Sequence, residues 1–166
     1  MKRLLAWANE TKIIKKQVKK NKSIIYGARA IRIQIGSMLS RPTRDWDIYS
    51  KRPKRSANTL QRDLDKVSGG NHYYATPSEF HKGTHKVYNI GQDNKRGTRD
   101  DIGLADFTQT KRGIKTRTID GIRYTHLSES VKDKKRSLTE PQFAFRHDKD
   151  RNDLNRIELH KQVRKY

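Results

Sequence analysis

Cysteine is absent from this chain of 166 residues, which excludes both a disulfide framework and a thiolate-bound zinc site. Prolines number only 4, and apolar residues recur in ordered patterns, so the sequence does not describe a disordered tail. No apolar run approaches the ~20 residues of a membrane span. Met1 to Glu10 lacks the continuous apolar stretch and small-residue cleavage site of a secretory signal. The expectation is an intracellular protein of the cytoplasm, nucleus or a virion, neither secreted nor membrane-bound. Acidic residues are also scarce. Against 39 Lys and Arg stand 18 Asp and Glu, a net charge of +21. A field of that sign and size attracts polyanions, nucleic acid foremost, through release of counterions.

What is present fits one domain with a thin core, since 31% of residues are hydrophobic and 34% charged. Residues 2–21 form a predicted helix with Leu4, Leu5, Trp7, Ala8, Ile14 and Val18 near one stripe. Lys12, Lys15, Lys16, Lys19 and Lys20 load its remainder. The expected organisation is this basic N-terminal helix over 1–22, followed by the main unit over 23–166. Ser23 to Tyr26 is a short apolar lead-in ending at Gly27. Alternation and helical periodicity compete in the next stretch, where Ala28, Ile31, Ile35, Met38 and Leu39 share a helical face. Asp45 to Ser50 alternates as a strand, with Trp46 and Ile48 on one side and Asp45 and Asp47 on the other. An amphipathic helix is predicted over 56–67, capped by Ser56 and broken by Gly69-Gly70. Strands are expected at 72–76, 84–90 and 101–107, the last with Ile102, Leu104 and Asp106 on one side. Asp120-Gly121 between Ile119 and Ile122 signals a tight hairpin. Ser128 is placed to cap a helix reaching Leu138, and a last helix is expected over 149–165.

Chemistry concentrates between Gly27 and Tyr49. Two carboxylates two residues apart on a strand point the same way and repel unless a cation lies between them. Magnesium, or manganese, suits such oxygen ligands and leaves coordination positions for substrate phosphates. Two such ions can activate a hydroxyl and stabilise a leaving triphosphate fragment. Upstream, Gly27 has no side chain to obstruct a phosphate, and the N–H groups of a helix starting near Ala28 are suited to cradle one. Lys51–Arg55 and Lys132–Arg136 read as short solvated basic patches. In the first, Lys51, Arg52, Lys54 and Arg55 join Lys15, Lys16, Lys19 and Lys20 as candidate nucleic-acid contacts.

Ile24-Ile25-Tyr26-Gly27-Ala28, an intervening helix, and Arg41-Pro42-Thr43-Arg44-Asp45-Trp46-Asp47 together resemble the nucleotidyltransferase superfamily, the polymerase-beta-like fold. Small AbiEii-type members are closest in pattern. The family has a second glycine or a serine where this chain has Ala28. A distant segment, Arg146-His147-Asp148-Lys149-Asp150-Arg151-Asn152-Asp153-Leu154, is similar to the closing signature of several such families. The resemblance implies an α/β (α+β) fold, a nucleotidyltransferase-like mixed sheet flanked by helices. It implies that Asp45, Asp47 and a third carboxylate, taken as Asp106, bind metal and catalyse. It also implies that Gly27, Ala28, Arg41, Thr43, Arg146 and Lys149 meet the nucleotide. Asp101 and Asp120 compete for the third acidic position, Asp120 being explained by its turn.

Three functions then stand open. The first is transfer of a nucleoside monophosphate from a nucleoside triphosphate (NTP) to a hydroxyl, on RNA ahead of DNA. The second is an inactive scaffold of this fold binding nucleic acid in a nucleoprotein or virion-like assembly. The third is an abortive-infection-type toxin turning the same chemistry on tRNA.

Overall fold

A computed structural model describes residues 2–164, with side chains from Asn9 onward. The side chains of Leu4, Leu5, Trp7 and Ala8 lie outside the described residues. Seven strands, β1 (Ile24–Tyr26), β2 (Trp46–Ser50), β3 (Tyr73–Pro77), β4 (His85–Asn89), β5 (Ile102–Gln109), β6 (Thr116–Ile119) and β7 (Ile122–Thr125), form one mixed sheet. Their order is β3-β4-β5-β2-β1-β7-β6. The β1–β7 and β2–β5 pairs are parallel, and the other neighbours antiparallel. Five helices flank it: α1 (Lys2–Lys20), α2 (Gly27–Ile35), α3 (Pro53–Ser68), α4 (Leu127–Thr139) and α5 (His147–Val163). This is the mixed, helix-flanked α/β arrangement expected from the sequence.

The main core fills one face of the sheet. Trp46 and Ile48 of β2, Val87 of β4 and Phe107 of β5 meet Ala57, Leu60 and Leu64 of α3 there. Ile14 and Val18 of α1, at 0% and 1% exposure, belong to the same cluster. Full burial of such side chains contributes about 1.5–3 kcal/mol each, so the lysine-rich helix is anchored by its apolar stripe. A smaller cluster joins Ile31 and Ile35 of α2 to Ile157 of α5, and Leu127 and Val131 of α4 pack against it. That cluster ties the C-terminal helices to the segment following Gly27.

Several predicted boundaries are corrected. The helical face that the sequence continues to Met38 and Leu39 ends with α2 at Ile35, where Gly36 turns the chain at φ +89°, and Met38 is 98% exposed. Ser56 does not cap α3, which begins at Pro53. Proline needs no N–H partner in the first turn and is pre-set for helical φ. Ser56 is instead buried, its Oγ 2.8 Å from Ser50 Oγ. Ser128 does not cap α4 either, because His126 Nδ1 accepts from the Ser128 N–H. The last helix starts at His147 rather than at residue 149. In β5 the expected sharing of a side by Leu104 and Asp106 fails. Val87 pairs with Ala105 but Tyr88 with Gly103, so Leu104 is an extra residue that breaks the alternation. Leu104 and Ala105 both enter the core. Asp106 turns to the opposite face.

Candidate active site

Alternation along β2 places Asp47 on the sheet face away from Trp46 and Ile48. In the parallel β2–β5 pairing Asp47 lies opposite Asp106, and on the other side it lies opposite Tyr26 of β1. Asp45 immediately precedes β2 and accepts a hydrogen bond from Thr43 Oγ1 at 2.5 Å. The three carboxylates sense one another. Burial first, then the charges of Asp45 and Asp106, push the Asp47 carboxyl up to about 7. Burial likewise raises that of Asp106, and the Lys86 ammonium, 3.1 Å from its Oδ2, opposes the rise. Asp45 moves the other way. Burial works against its ionisation, but the Thr43 bond, its own backbone N–H and the charges of Lys149 and Arg41 outweigh that and hold it below the ordinary carboxylate range.

Gly27 explains how the chain reaches Asp47 so closely. Its φ is +67°, and a Cβ there would overlap Asp47 Oδ2. The backbone therefore passes directly over the carboxylate as α2 begins. Ala28 follows and is buried, so it offers the site its backbone rather than a side-chain hydroxyl. Arg29, two residues after Gly27, clamps the loop before β2. Its Nε donates to the Asp45 carbonyl at 2.8 Å and its Nη2 to the Arg44 carbonyl at 2.7 Å, with the guanidinium 3.8 Å above the Trp46 ring. Burial pulls its pKa down to about 10 while Asp45 and Asp47 act against that shift, so it remains charged near neutrality.

A second charged layer comes from the C-terminal segment. Asp150 and Asp153 of α5 are 0% and 3% exposed. Between them sits the ammonium of Lys134 from α4, 2.8 Å from Asp150 Oδ1 and 2.7 Å from Asp153 Oδ2. Asp150 also binds Arg146 at 3.0 Å, and Asp153 binds Arg41 at 3.3 Å. The two acids thus hold α4, α5 and the loop before Asp45 in one frame. Positive charge from this frame reaches the site: Lys149 acts on Asp45, and Arg146 and Arg41 act on Asp47. Lys149 is itself exposed.

Among the described residues, no group of three or more His, Asp or Glu side chains is arranged to hold a metal ion by itself. Asp106 is engaged by Lys86. The donor set nonetheless fits a small divalent cation. Burial, and after it repulsion from Asp45, raises the Asp47 pKa, and a cation between the two carboxylates would relieve that repulsion. Mg2+ takes one or two protein carboxylates and completes its shell from phosphates and water.

The sequence-predicted residues therefore divide. Gly27, Ala28, Arg41, Thr43, Asp45, Asp47, Asp106, Arg146 and Lys149 are brought to one region by contacts, register or charge. Lys15, Lys16, Lys19 and Lys20 are exposed on α1, which packs on the opposite face of the sheet through Ile14 and Val18. Lys51, Arg52, Lys54 and Arg55 lie at the start of α3, beyond the end of β2. Asp101 caps a loop, accepting from Tyr74 Oη and the Gly91 and Gly97 N–H groups. Asp120 sits at φ +53° in the hairpin turn. Sequence reasoning missed Arg29, Lys86 and Lys134. Lys134, taken as part of a solvated patch, is 6% exposed, a correction explained by its two buried carboxylate partners. Its signal was available in Asp150 and Asp153, two acids that a closing helix buries only with a cation between them.

No family model and no curated protein matches the chain. Its fold does match solved structures. The crystal structure of the Megavirus polyadenylate synthase is similar with a TM-score of 0.75 and 20% identity, over 93% of this chain and 31% of that one. JHP933 from Helicobacter pylori has a TM-score of 0.50 and 13% identity, over 81% and 56% of the two chains. A candidate nucleotidyltransferase from H. pylori has a TM-score of 0.50 and 15% identity, over 81% and 58%. The chain thus spans about a third of the length of the first protein and just over half of the other two.

Proposed function

We propose that this chain, which has the nucleotidyltransferase fold, transfers a nucleoside monophosphate from an NTP to a hydroxyl on RNA. The observation that carries the reading is the approach of Gly27 to Asp47, within a carboxylate cluster on which Lys149, Arg146 and Arg41 act. Asp45 and Asp47 would hold a divalent cation, Mg2+ or Mn2+, which supplies charge neutralisation for the triphosphate and the attacking oxygen. Lys149 and Arg146 would stabilise the negative charge of the triphosphate. The acceptor hydroxyl oxygen forms a bond to the α-phosphorus while the bond to the β-phosphate bridging oxygen breaks. Pyrophosphate leaves and the hydroxyl proton passes to the Asp106 carboxylate. Burial raises the proton affinity of Asp106, and Lys86 keeps it oriented. The name of the Megavirus relative, a polyadenylate synthase, supports RNA as acceptor, as does the net charge of +21.

The scaffold reading draws on one specific observation, the Lys86–Asp106 ion pair at 3.1 Å, which engages the third carboxylate. Purified protein, Mg2+, each of the four NTPs labelled at the α-phosphate and mixed RNA acceptors decide between the two. Transfer by the wild type and none by Asp47→Asn is the expected result. Equal absence of transfer from both proteins would replace the enzyme with the scaffold.

A further inference from the structure

Where β2 and β5 end, α3 begins over a cleft of about 1000 Å³. Lys51, Arg52, Lys54, Arg55 and Arg62 line it, together with His85, and no carboxylate does. None of the five basic residues forms an ion pair among the described residues. Neither exposed Asp63 nor Asp65, both just beyond Arg62 on α3, lines the cleft, and Asp65 Oδ2 accepts from Gln61 Nε2 at 3.4 Å. Asp65 Oδ1 accepts the backbone N–H groups of His72 and Tyr73 at 2.9 and 3.0 Å. His85 is half-buried, and its Nδ1 is buried without a hydrogen-bond partner. The first turn of α3 has no side-chain cap, so its free N–H groups add positive potential at the same end. Five exposed cations without ion-pair partners around one concavity give it a positive potential that suits a chain of negative charges.

We infer that this cleft holds the phosphodiester backbone of single-stranded RNA, leading the acceptor strand round the sheet end toward the carboxylates. The inference rests on the transfer reading for its direction, though the binding itself does not. Asp47 and Ser50 are three residues apart on β2, about 10 Å at the rise of a strand. That is roughly three nucleotides at about 3.4 Å per stacked step, so acceptors must exceed about this length to gain from the cleft. Backbone contacts of this kind track charge and give little sequence preference.

The test compares two triple variants with the same change in net charge. Arg52→Gln, Arg55→Gln and Arg62→Gln neutralise the cleft. Lys115→Gln, Arg117→Gln and Arg123→Gln neutralise the exposed β6–β7 side of the molecule. Binding of a fluorescent single-stranded 20-nucleotide RNA is followed by anisotropy across a salt series, without NTP or Mg2+. The cleft variant should bind about 10-fold or more weakly, and its log–log salt slope should be shallower by about 2, near 0.7 for each of three lost phosphate contacts. The β6–β7 variant should stay within about 3-fold of wild type. Equal losses in both variants, no loss in the cleft variant, or no RNA binding by wild type at low salt would overturn the inference. Circular dichroism melting confirms that each variant folds. Should the cleft-dependent binding appear without any nucleotide transfer, the enzyme reading fails and the cleft stands. Transfer to RNA that the cleft variant performs with unchanged KM on long acceptors sinks the cleft alone.

Discussion

Gly27 lies against Asp47 so closely that a single added carbon would overlap the carboxylate oxygen Oδ2. Glycine answers two demands there, a φ of +67° and the space taken by Asp47 Oδ2. Gly27→Ala meets both penalties. Backbone strain of this type costs about 1–3 kcal/mol, and the methyl also displaces Asp47. Gly36 separates the two effects, since it has φ +89° with nothing within 4 Å of its Cβ position. Thermal denaturation should show Gly36→Ala destabilised by about 1–3 kcal/mol and Gly27→Ala destabilised by more. The transfer assay should show Gly27→Ala inactive and Gly36→Ala active at a temperature where both are folded. Equal activity would mean that the approach of Gly27 does not position Asp47.

Asp47 gives stability a pH dependence of predictable sign. Its carboxyl is raised to about 7 in the folded protein, against about 3.9 in the unfolded chain. Between those values the folded state binds more protons, so this residue's contribution falls as pH rises from 4 to 7 and is constant outside that window. Its size is on the order of 2–4 kcal/mol. Asp47→Asn cannot ionise, so without divalent ions its stability relative to wild type should grow across the same window. Urea denaturation at pH 4.5, 6 and 8 in EDTA measures the difference. Mg2+ should raise the wild-type melting temperature more at pH 8 than at pH 5. A pH-independent gap between the two proteins would contradict the raised carboxyl.

These residues were legible in the sequence because the information is local. An apolar lead-in, Gly27, a helix, Asp45 and a strand carrying Asp47 lie within the 28 residues from Ser23 to Ser50, and strand alternation fixes the direction of Asp47. What was illegible depends on partners far along the chain. The extra residue at Leu104 follows from pairing with β4, and no alternation rule within β5 foretells it. Lys86 reads as one of many lysines until register sets it opposite Asp106. Ser56 and Ser128 have good capping chemistry, but Pro53 and His126 begin those helices first. Charge alone could not tell Lys134, which is buried, from Lys132 and Lys135, which are exposed.

Lys134 should be among the most costly side chains to remove. Lys134→Met keeps the apolar stem and deletes the charge between Asp150 and Asp153, leaving both buried carboxylates to Arg146 and Arg41 alone. Breaking such a pair from one side costs about 3–5 kcal/mol. Lys135→Met, next in sequence but exposed, should change stability by less than about 0.5 kcal/mol. Urea denaturation of the two variants side by side checks the contrast. Similar midpoints would show that the buried network does not hold α4 against α5.

Lys149 separates nucleotide binding from nucleic-acid binding. It is exposed, yet its charge lowers the pKa of Asp45. It occupies the first turn of α5, three residues beyond Arg146, whose charge acts on Asp47. An ammonium there faces the triphosphate in the proposed reaction, whereas the basic cleft lies beyond the far end of β2. Lys149→Ala should raise the KM for NTP about 10-fold, the scale of one charge-assisted hydrogen bond of about 1.5 kcal/mol. The affinity for single-stranded RNA should stay within about 3-fold of wild type, because one cation in a chain of net charge +21 adds a single term to a salt-dependent sum. Lys149→Arg should recover part of the NTP affinity, since the charge is kept while the shape of the donor changes. Steady-state kinetics with NTP varied at saturating RNA, paired with anisotropy titrations, give both numbers. An unchanged KM for NTP together with weakened RNA binding would move Lys149 from the nucleotide to the acceptor strand.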